Sequence, residues 1–364
     1  GGANGEQDLV AATTVEHGLM HADLSFGVDV TRAIPLGSNL DLCSVGMKTI
    51  GGAFQIDEKE AERLGLGNTP GLERHIRPYM NGRDFVSTAR GIYVIDFFGL
   101  EAEEVRTRFP AAYQHLLTKA KPERDQNRNK IFKESWWVIG HPRPRFRSAT
   151  AGLPRYIITV ETQKHRFFAF LSSDIAPDST LVTFAFDDAW ILGVLSSRVH
   201  TAWALALGGR LGVGNDPRYN KTRCFETFPF PDATDIAKSR VRSIAERLDS
   251  HRKRQQRQHP GLTLTAIYNV LEEIRAGNAL SAKHKAIHEQ GLVSVLRELH
   301  DDLDRAVFEA YGWSDLGQRL VGRPGATMPL VEKAAEQVEA EETLLSRLVA
   351  LNSDRAAEEK RGTI

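Results

Sequence analysis

Residues 208–231 read GGRLGVGNDPRYNKTRCFETFPFP, and the chain changes character across this stretch. The first half is rich in glycine and carries the polar side chains of Arg210, Asn215, Asp216 and Arg218. The second half is apolar, with phenylalanine and proline alternating up to Pro231. Glycine gives a loop conformational freedom, whereas proline fixes the backbone. The stretch therefore predicts a flexible polar loop whose base is held in a hydrophobic core.

Short strands and helices precede this stretch. Residues 92–97, 156–160, 167–171 and 181–186 have the β-branched and aromatic content of buried strands, and the polar residues 161–166 connect the second strand to the third. Residues 58–66 and 101–119 are predicted helices, the latter restarting at Pro110. A further helix over 189–207 is capped by Asp187 or Asp188. Because no regular βαβ order connects these elements, they predict an α+β fold with a mixed sheet.

The chain is predicted to be helical beyond residue 233. Apolar residues recur at helical spacing over 264–274, 292–310 and 331–349, and Gly277 follows the first of these stripes. We expect an all-α domain that packs as hairpins or a small bundle. The predicted organisation is a lead-in with short strands over 1–49, an α+β domain over 50–232 and a C-terminal helical domain over 233–364.

The composition is typical of a globular protein with two domains. The chain has 364 residues, of which 41% are hydrophobic and 26% are charged, and no apolar run reaches membrane-spanning length. The only cysteines, Cys43 and Cys224, do not support a disulfide framework and fit a reducing cytoplasm. The first residue is Gly1 and no signal peptide follows it, so we expect a piece of a longer cytoplasmic protein.

Charge is unevenly distributed, although 47 basic residues balance 47 acidic ones. Eleven basic and four acidic residues lie between 121 and 166, and eight basic and two acidic residues lie between 238 and 257. The balance reverses over 332–360, with eight acidic and four basic residues. This asymmetry fits one side that faces a polyanion and another that faces solvent or a partner. Ordinary surface helices would produce the same pattern.

Side chains that suit contact with nucleic acid cluster in and after the glycine-rich loop. Arginine and asparagine can read guanine and adenine edges, and the loop region carries Arg210, Asn215, Arg218 and Asn220. Lys221 and Arg223 could hold phosphates. The alternative is a solvent-exposed loop without a ligand. The adjoining Phe225, Phe228 and Phe230 could stack on bases, but core packing is favoured because proline fixes the backbone there without offering contacts.

Further basic residues could follow a phosphate backbone. Arg143, Arg145 and Arg147 occupy alternate positions after a tryptophan pair, and on an extended chain they would point to one side. Their aliphatic stems could instead cover the tryptophans. The remaining expected backbone contacts lie on the connection between two strands and on the basic helix over 238–257: Lys164, Arg166, Arg252 and Arg254.

The chain shows no recognisable reaction chemistry. It contains neither an Asn/Asp-Pro-Pro-Tyr/Phe tetrapeptide nor a strand-end glycine motif for S-adenosylmethionine, and no nuclease core or catalytic triad has supporting context. The glycine loop follows a helix rather than a strand, which argues against a dinucleotide or P-loop site. His284 and His288 are four residues apart but lack a third metal ligand. We therefore expect no catalytic residue, no metal site and no cofactor in this chain.

The chain contains the segments 24–30 (LSFGVDV), 76–84 (IRPYMNGRD), 154–159 (PRYIIT) and 218–231 (RYNKTRCFETFPFP). These segments resemble parts of one class of bacterial DNA methyltransferases, the large MmeI-like (type IIL) restriction–modification enzymes and their orphan methyltransferase relatives. The last segment is similar to the end of their target recognition domain. Residues 264–271 (LTAIYNVL), 296–304 (LRELHDDLD), 310–313 (AYGW) and 348–352 (LVALN) are similar to the C-terminal helical domain. The similarity is colinear from about 21 to 360.

The resemblance implies that the α+β domain reads duplex DNA in the major groove. It implies that Arg210, Asn215, Asp216 and Arg218 contact bases and that Asn220, Lys221 and Arg223 contact the DNA backbone. For the parent protein it implies adenine-N6 methylation with S-adenosylmethionine. The methyltransferase domain would lie N-terminal to this region and would be a partner of it. The alternative is a non-enzymatic protein-interaction scaffold, in which the acidic C-terminal helix docks a partner and the basic patches are incidental.

Overall fold

A computed structural model describes residues 28–211, 216–330 and 332–362. Its strands are β1 (Cys43–Val45), β2 (Gln55–Asp57), β3 (Ile76–Met80), β4 (Ile92–Ile95), β5 (Arg155–Val160), β6 (Ala169–Ser172), β7 (Ala176–Pro177), β8 (Leu181–Phe184), β9 (Gly209–Leu211) and β10 (Asp216–Arg218). Its helices before the phenylalanine–proline segment are α1 (Glu58–Arg63), α2 (Gly82–Val86), α3 (Ala102–Arg108), α4 (Pro110–Lys119), α5 (Lys121–Asp125), α6 (Lys130–Glu134), α7 (Pro144–Thr150), α8 (Ala189–Ser196), α9 (Arg198–Leu207) and α10 (Lys221–Cys224). The helices after it are α11 (Asp235–Gln258), α12 (Leu264–Arg275), α13 (Ala282–Gly291), α14 (Val293–Ala310), α15 (Ser314–Leu320) and α16 (Ala335–Arg361).

The strands form two four-stranded sheets and one two-stranded ribbon. The first sheet has the order β1-β8-β5-β6 and is antiparallel throughout. The second has the order β2-β4-β3-β7 and is mixed, because β3 and β7 run parallel. All residues of β8 and all but the first of β5 are buried, which explains why these strands are continuous apolar runs. The predicted α+β fold with a mixed sheet is confirmed.

Two predicted helices are interrupted, one as expected and one unexpectedly. The helix over 101–119 restarts at Pro110, which is the first residue of α4. The helix predicted over 189–207 is divided into α8 and α9, because Ser197 leaves the helical conformation with ψ 160° and caps α9. Asp188 caps α8, since its Oδ1 accepts a hydrogen bond of 2.9 Å from the Trp190 N–H.

The largest hydrophobic core lies between α8 and α9 on one side and the C-terminal helices on the other. It joins Trp190, Val194 and Trp203 to Val241 on α11 and Leu303 on α14. The approach of α8 to α11 depends on a residue without a side chain, because a Cβ on Gly193 would lie 2.5 Å from Val241 Cγ1. The core is thus continuous across the predicted boundary at residue 232, and the division into domains stays a prediction.

The segment that follows residue 28 is held against the C-terminal helix. The buried Asn352 side chain on α16 pairs with both the N–H and the carbonyl of Ile34, at 3.0 and 2.9 Å, and also donates to the Thr227 carbonyl at 2.7 Å. The Glu359 carboxylate accepts from the N–H groups of Gly37 and Ser38. Residues 1–27, which include part of the predicted lead-in, lie outside the described residues.

The two cysteines are free and buried. Burial raises the pKa of the Cys224 thiol to about 11. Neither thiol is therefore placed to react. None of the helices in the described ranges is both long and apolar enough to cross a membrane.

Candidate nucleic-acid interface

The glycine-rich stretch forms an antiparallel ribbon of β9 and β10. Pro217 is opposite Arg210, and Arg218 is opposite Gly209. Residues 212–215, which separate β9 from β10 in the sequence, lie outside the described residues, and with them the predicted base-contact residue Asn215. Every residue of β9 is exposed. β9 is therefore accessible directly after the end of α9, and the regular strand pairing of the ribbon was not predicted from the sequence.

The ribbon separates the predicted base-contact residues onto two faces. Side chains alternate along a strand, and directly paired residues share a face. Asp216 and Arg218 therefore share one face with Leu211, whereas Arg210 shares the opposite face with Pro217. Pro217 is buried and Arg210 is exposed. The structure thus brings Asp216 and Arg218 together and places Arg210 apart from them.

Arg218 is paired with Glu161, a residue that the sequence analysis did not single out. Its Nε and Nη2 donate to Glu161 Oε1 at 3.0 and 2.8 Å. The Arg218 side chain remains 47% exposed. The carboxylate restricts the guanidinium while leaving it accessible to a ligand. Because the partners are 57 residues apart in the chain, no local sequence pattern could have identified the pair.

The root of the ribbon is buried, as the sequence predicted for the base of the loop. Tyr219, directly after β10, is 1% exposed, and its hydroxyl lies 2.9 Å from His200 Nε2. Burial raises the pKa of Tyr219 and lowers the pKa of His200 to about 3. Phe225 and Phe228 are fully buried, which confirms the core-packing interpretation and excludes them as a platform for stacked bases.

The predicted backbone contacts just after the ribbon have mixed roles. Asn220 caps α10, since its Oδ1 accepts from the Thr222 N–H at 3.1 Å. Lys221 pairs with Glu226 at 2.5 Å. Arg223 is exposed on α10.

The arginines at 143, 145 and 147 do not lie on an extended chain. Pro144 begins α7, so the prediction that the three guanidinium groups point to one side of a strand was wrong. The Arg143 Nε donates to the Gly46 carbonyl, and Arg147 pairs with Asp96 at 2.5 Å and lies over the Phe98 ring. Arg145 pairs with Asp41 at 3.2 Å but is 85% exposed, so it remains accessible to a ligand. Proline favours the first turn of a helix, and this signal could have identified α7.

Two predicted backbone contacts are inside the protein. Arg166 is 3% exposed and Arg252 is 2% exposed, so neither side chain can reach a phosphate in this conformation. Arg166 donates to the Pro217 carbonyl at 3.0 Å, and burial lowers its pKa to about 10. Arg252 donates to the Phe168 carbonyl at 2.6 Å. These predictions were wrong because both guanidinium groups are needed to satisfy buried polar groups.

The neighbouring predicted contacts are accessible. Lys164 is exposed and donates to Asn269 Oδ1 at 2.7 Å, and Arg254 is exposed on α11. The contrast between Arg252 and Arg254 follows the apolar stripe of α11, because Arg252 is four residues after the buried Leu248. Helical periodicity could therefore have separated the two.

The structure offers no metal centre in its described ranges. No group of three or more His, Cys, Asp or Glu side chains there could hold a metal ion. His284 Nδ1 lies 2.7 Å from Glu273 Oε2, and His288 Nε2 lies 3.0 Å from Ser294 Oγ. Asp304 on α14 is buried and accepts from the Arg198 N–H at 2.7 Å. These groups have structural partners.

Comparison with known proteins identifies the family of the segment that ends with the ribbon and the phenylalanine–proline sequence. The model of the family described as "MmeI, target recognition domain" matches residues 31–232, more than half of the chain. The chain belongs to this family. Within the MmeI target recognition domain segment, the ribbon lies close to the C-terminal end, and Glu161 lies in the connection between β5 and β6.

Two individual proteins are similar to parts of the chain. DNA methyltransferase A of Bacillus subtilis (strain 168) is 36% identical over 93 residues, which are 25% of this chain and 10% of that protein. A structure of the type IIL restriction–modification enzyme MmeI in complex with DNA matches 92% of this chain with a TM-score of 0.62 and 16% identity. That match covers 38% of the MmeI chain. The second comparison shows a shared fold, and the chain spans well under half of either protein.

Proposed function

We propose that this chain is the sequence-specific duplex DNA recognition region of a bacterial adenine-N6 DNA methyltransferase in a restriction–modification or phage-defence system. The ribbon β9–β10 carries the proposal, because it presents exposed charged side chains from a buried root. The major groove of B-DNA, about 12 Å wide, admits a two-stranded ribbon. Membership of the target recognition domain family and the shared fold with a DNA-bound enzyme support this function.

Asp216 and Arg218 are the proposed centre of base reading. Arginine donates to the O6 and N7 atoms of guanine, and a carboxylate accepts from the N4 amino group of cytosine. Both residues lie on the same ribbon face, and Glu161 restricts the orientation of the arginine. Arg210 reads from the opposite face, and Asn215, which lies between the two strands in the sequence, stays a proposed base contact.

Phosphate contacts are proposed for the accessible polar residues among those predicted. They are Arg145, Lys164, Asn220, Lys221, Arg223 and Arg254. Each phosphate that a cation neutralises adds about 0.9 to the slope of log affinity against log salt concentration. Arg143 and Arg147 are mainly occupied by protein partners, and the buried Arg166 and Arg252 are excluded from this set.

The catalytic step belongs to the parent protein. We propose that an N-terminal methyltransferase domain binds S-adenosylmethionine and the target adenine, while this region selects the site on the DNA. Similarity to DNA methyltransferase A over part of the chain supports this arrangement. A cytoplasmic location follows from the proposed activity on bacterial DNA.

Selection from a random-sequence duplex pool at low salt, followed by sequencing, tests the proposal. We expect a short enriched motif. Arg218→Ala should reduce the preference for that motif over a scrambled duplex by about tenfold, since one bidentate base contact contributes about 1–3 kcal/mol. Arg63→Ala is the matched control, because Arg63 is exposed and pairs with Glu60 through the same Nε and Nη2 atoms.

The outcomes separate base reading from other functions. Equal losses on selected and scrambled DNA for Arg218→Ala would contradict its base-reading role. Binding without enrichment would indicate that the ribbon contacts only the DNA backbone. Absence of binding would favour the protein-interaction scaffold.

A further inference from the structure

The ribbon is fastened at its root to the connection between β5 and β6. The Tyr219 N–H donates to the Glu161 carbonyl at 2.7 Å, and the Gln163 N–H donates to the Pro217 carbonyl at 3.3 Å. Thr162 forms an isolated antiparallel bridge with Arg218. Arg166 Nη2 donates to the same Pro217 carbonyl at 3.0 Å. Residues 161–166 therefore fix the position of the β10 backbone.

This connection is itself held by the loop that joins α15 to α16. The Arg166 N–H donates to the Thr327 carbonyl at 2.6 Å, and His165 Nδ1 lies 3.0 Å from Thr327 Oγ1. Thr327 Oγ1 donates to Glu272 Oε1 on α12 at 3.2 Å. The other oxygen of Glu272 accepts from the Gly325 N–H at 2.6 Å. The C-terminal helices are thus connected to the ribbon by an unbroken series of hydrogen bonds.

The members of this series are withdrawn from solvent. His165, Arg166 and Thr327 are 1%, 3% and 3% exposed, and Glu272 is 7% exposed. Buried hydrogen bonds are directional, and replacing one partner leaves the other unsatisfied. The position of β10 therefore depends on the position of loop 321–330.

We propose that Thr327 and Arg166 are positioning residues for DNA recognition, through which the C-terminal helical region fixes the base-reading ribbon. This inference rests on the proposed function. A two-stranded ribbon is marginally stable by itself in water. A binding constellation must be held to within about 0.5 Å of its productive geometry. The series of buried hydrogen bonds supplies a rigid reference that the ribbon lacks on its own.

The test compares variants that preserve shape or chemistry at one position. Thr327→Val keeps the shape and removes the hydroxyl, whereas Thr327→Ser keeps the hydroxyl. Tyr311→Phe removes one partly buried hydrogen bond, from Tyr311 to the Pro229 carbonyl at 2.8 Å, at a junction outside the series. Each variant of the whole chain is measured by amide hydrogen exchange of β9 and β10 and by preference for the motif that the wild type selects.

We expect Thr327→Val to speed exchange in the ribbon and to lower the motif preference by at least about fivefold, because one net hydrogen bond corresponds to about fivefold and the hydroxyl makes two. Thr327→Ser should match the wild type. Tyr311→Phe should lower global stability without changing either ribbon readout. Unchanged ribbon exchange and preference in a folded Thr327→Val variant would overturn the inference.

Two further measurements keep the test decisive. If Thr327→Val does not fold, Glu272→Gln replaces it, because the amide retains one acceptor for the Gly325 N–H and loses the charge. If the wild type selects no motif, the proposed function fails. The exchange data still test whether loop 321–330 positions the ribbon. Equal rates of ribbon exchange in Thr327→Ser and Thr327→Val would then contradict that role of the loop.

Discussion

We expect that replacing Arg252 with methionine destabilises the folded protein and does not remove a DNA contact. The Arg252 guanidinium donates to the Tyr268 hydroxyl at 2.9 Å and to the Phe168 carbonyl at 2.6 Å, and it lies 3.6 Å from Asp249. Its side chain is 2% exposed. Methionine would fill most of the volume but would leave these buried polar groups without their donor.

The magnitude follows from those partners. Removing one member of a buried ion pair destabilises a protein by about 3–5 kcal/mol. Asp249 keeps a second cation, because Lys253 Nζ lies 2.6 Å from its Oδ2, so the lower end of that range applies. We expect a loss of about 3 kcal/mol in the free energy of unfolding, a large share of the 5–15 kcal/mol typical of a domain.

Arg254 supplies the matched control on the same helix. Its side chain is exposed, so Arg254→Met should change stability by less than about 0.5 kcal/mol. It should instead weaken binding to all duplexes alike and lower the salt slope by about 0.9. Urea unfolding followed by circular dichroism, together with DNA binding at several salt concentrations, separates the two effects. Equal unfolding midpoints for the two variants would refute the assignment of Arg252 to the interior.

Three further changes test other parts of the structure. Gly208→Ala would place a methyl group 2.5 and 2.6 Å from two backbone carbonyl oxygens, so we expect a loss of about 1–3 kcal/mol in urea unfolding, and an unchanged midpoint would contradict this close approach. Asn352→Leu leaves three backbone groups without a partner, of which the Thr227 carbonyl is buried, and a destabilisation of under about 1 kcal/mol would show that the segment after residue 28 is not held by α16. The pKa of His200 lies near 3 in the fold against 6.5 unfolded, so the unfolded state binds the proton first and stability falls as the pH drops from about 6.5 towards 3. His200→Gln should flatten that dependence by about 1.4 kcal/mol per pH unit, and identical pH profiles of unfolding would exclude the contribution.

Local patterns in the sequence determined most of the secondary structure. The apolar runs of β5, β6 and β8 were identified because buried strands collect β-branched and aromatic residues. The restart at Pro110 and the cap at Asp188 were identified because the preferences of helix termini depend on one or two residues. For the same reason, the change from a polar, glycine-rich loop to an apolar segment across 208–231 could be identified from the sequence. The family resemblance rested on segments of this kind.

Only the tertiary structure decided which polar side chains face a ligand. Arg252 and Arg254 have the same chemistry and lie two residues apart, yet Arg252 is buried because its face of α11 packs against Phe168, the residue before β6, and against Tyr268 on α12. Arg166 and Thr327, and likewise Glu161 and Arg218, are brought together by backbone folding across long stretches of chain. Composition and spacing report the residue types that are available. Burial and pairing depend on which distant segments share the core, and therefore they emerge only when the whole chain is folded.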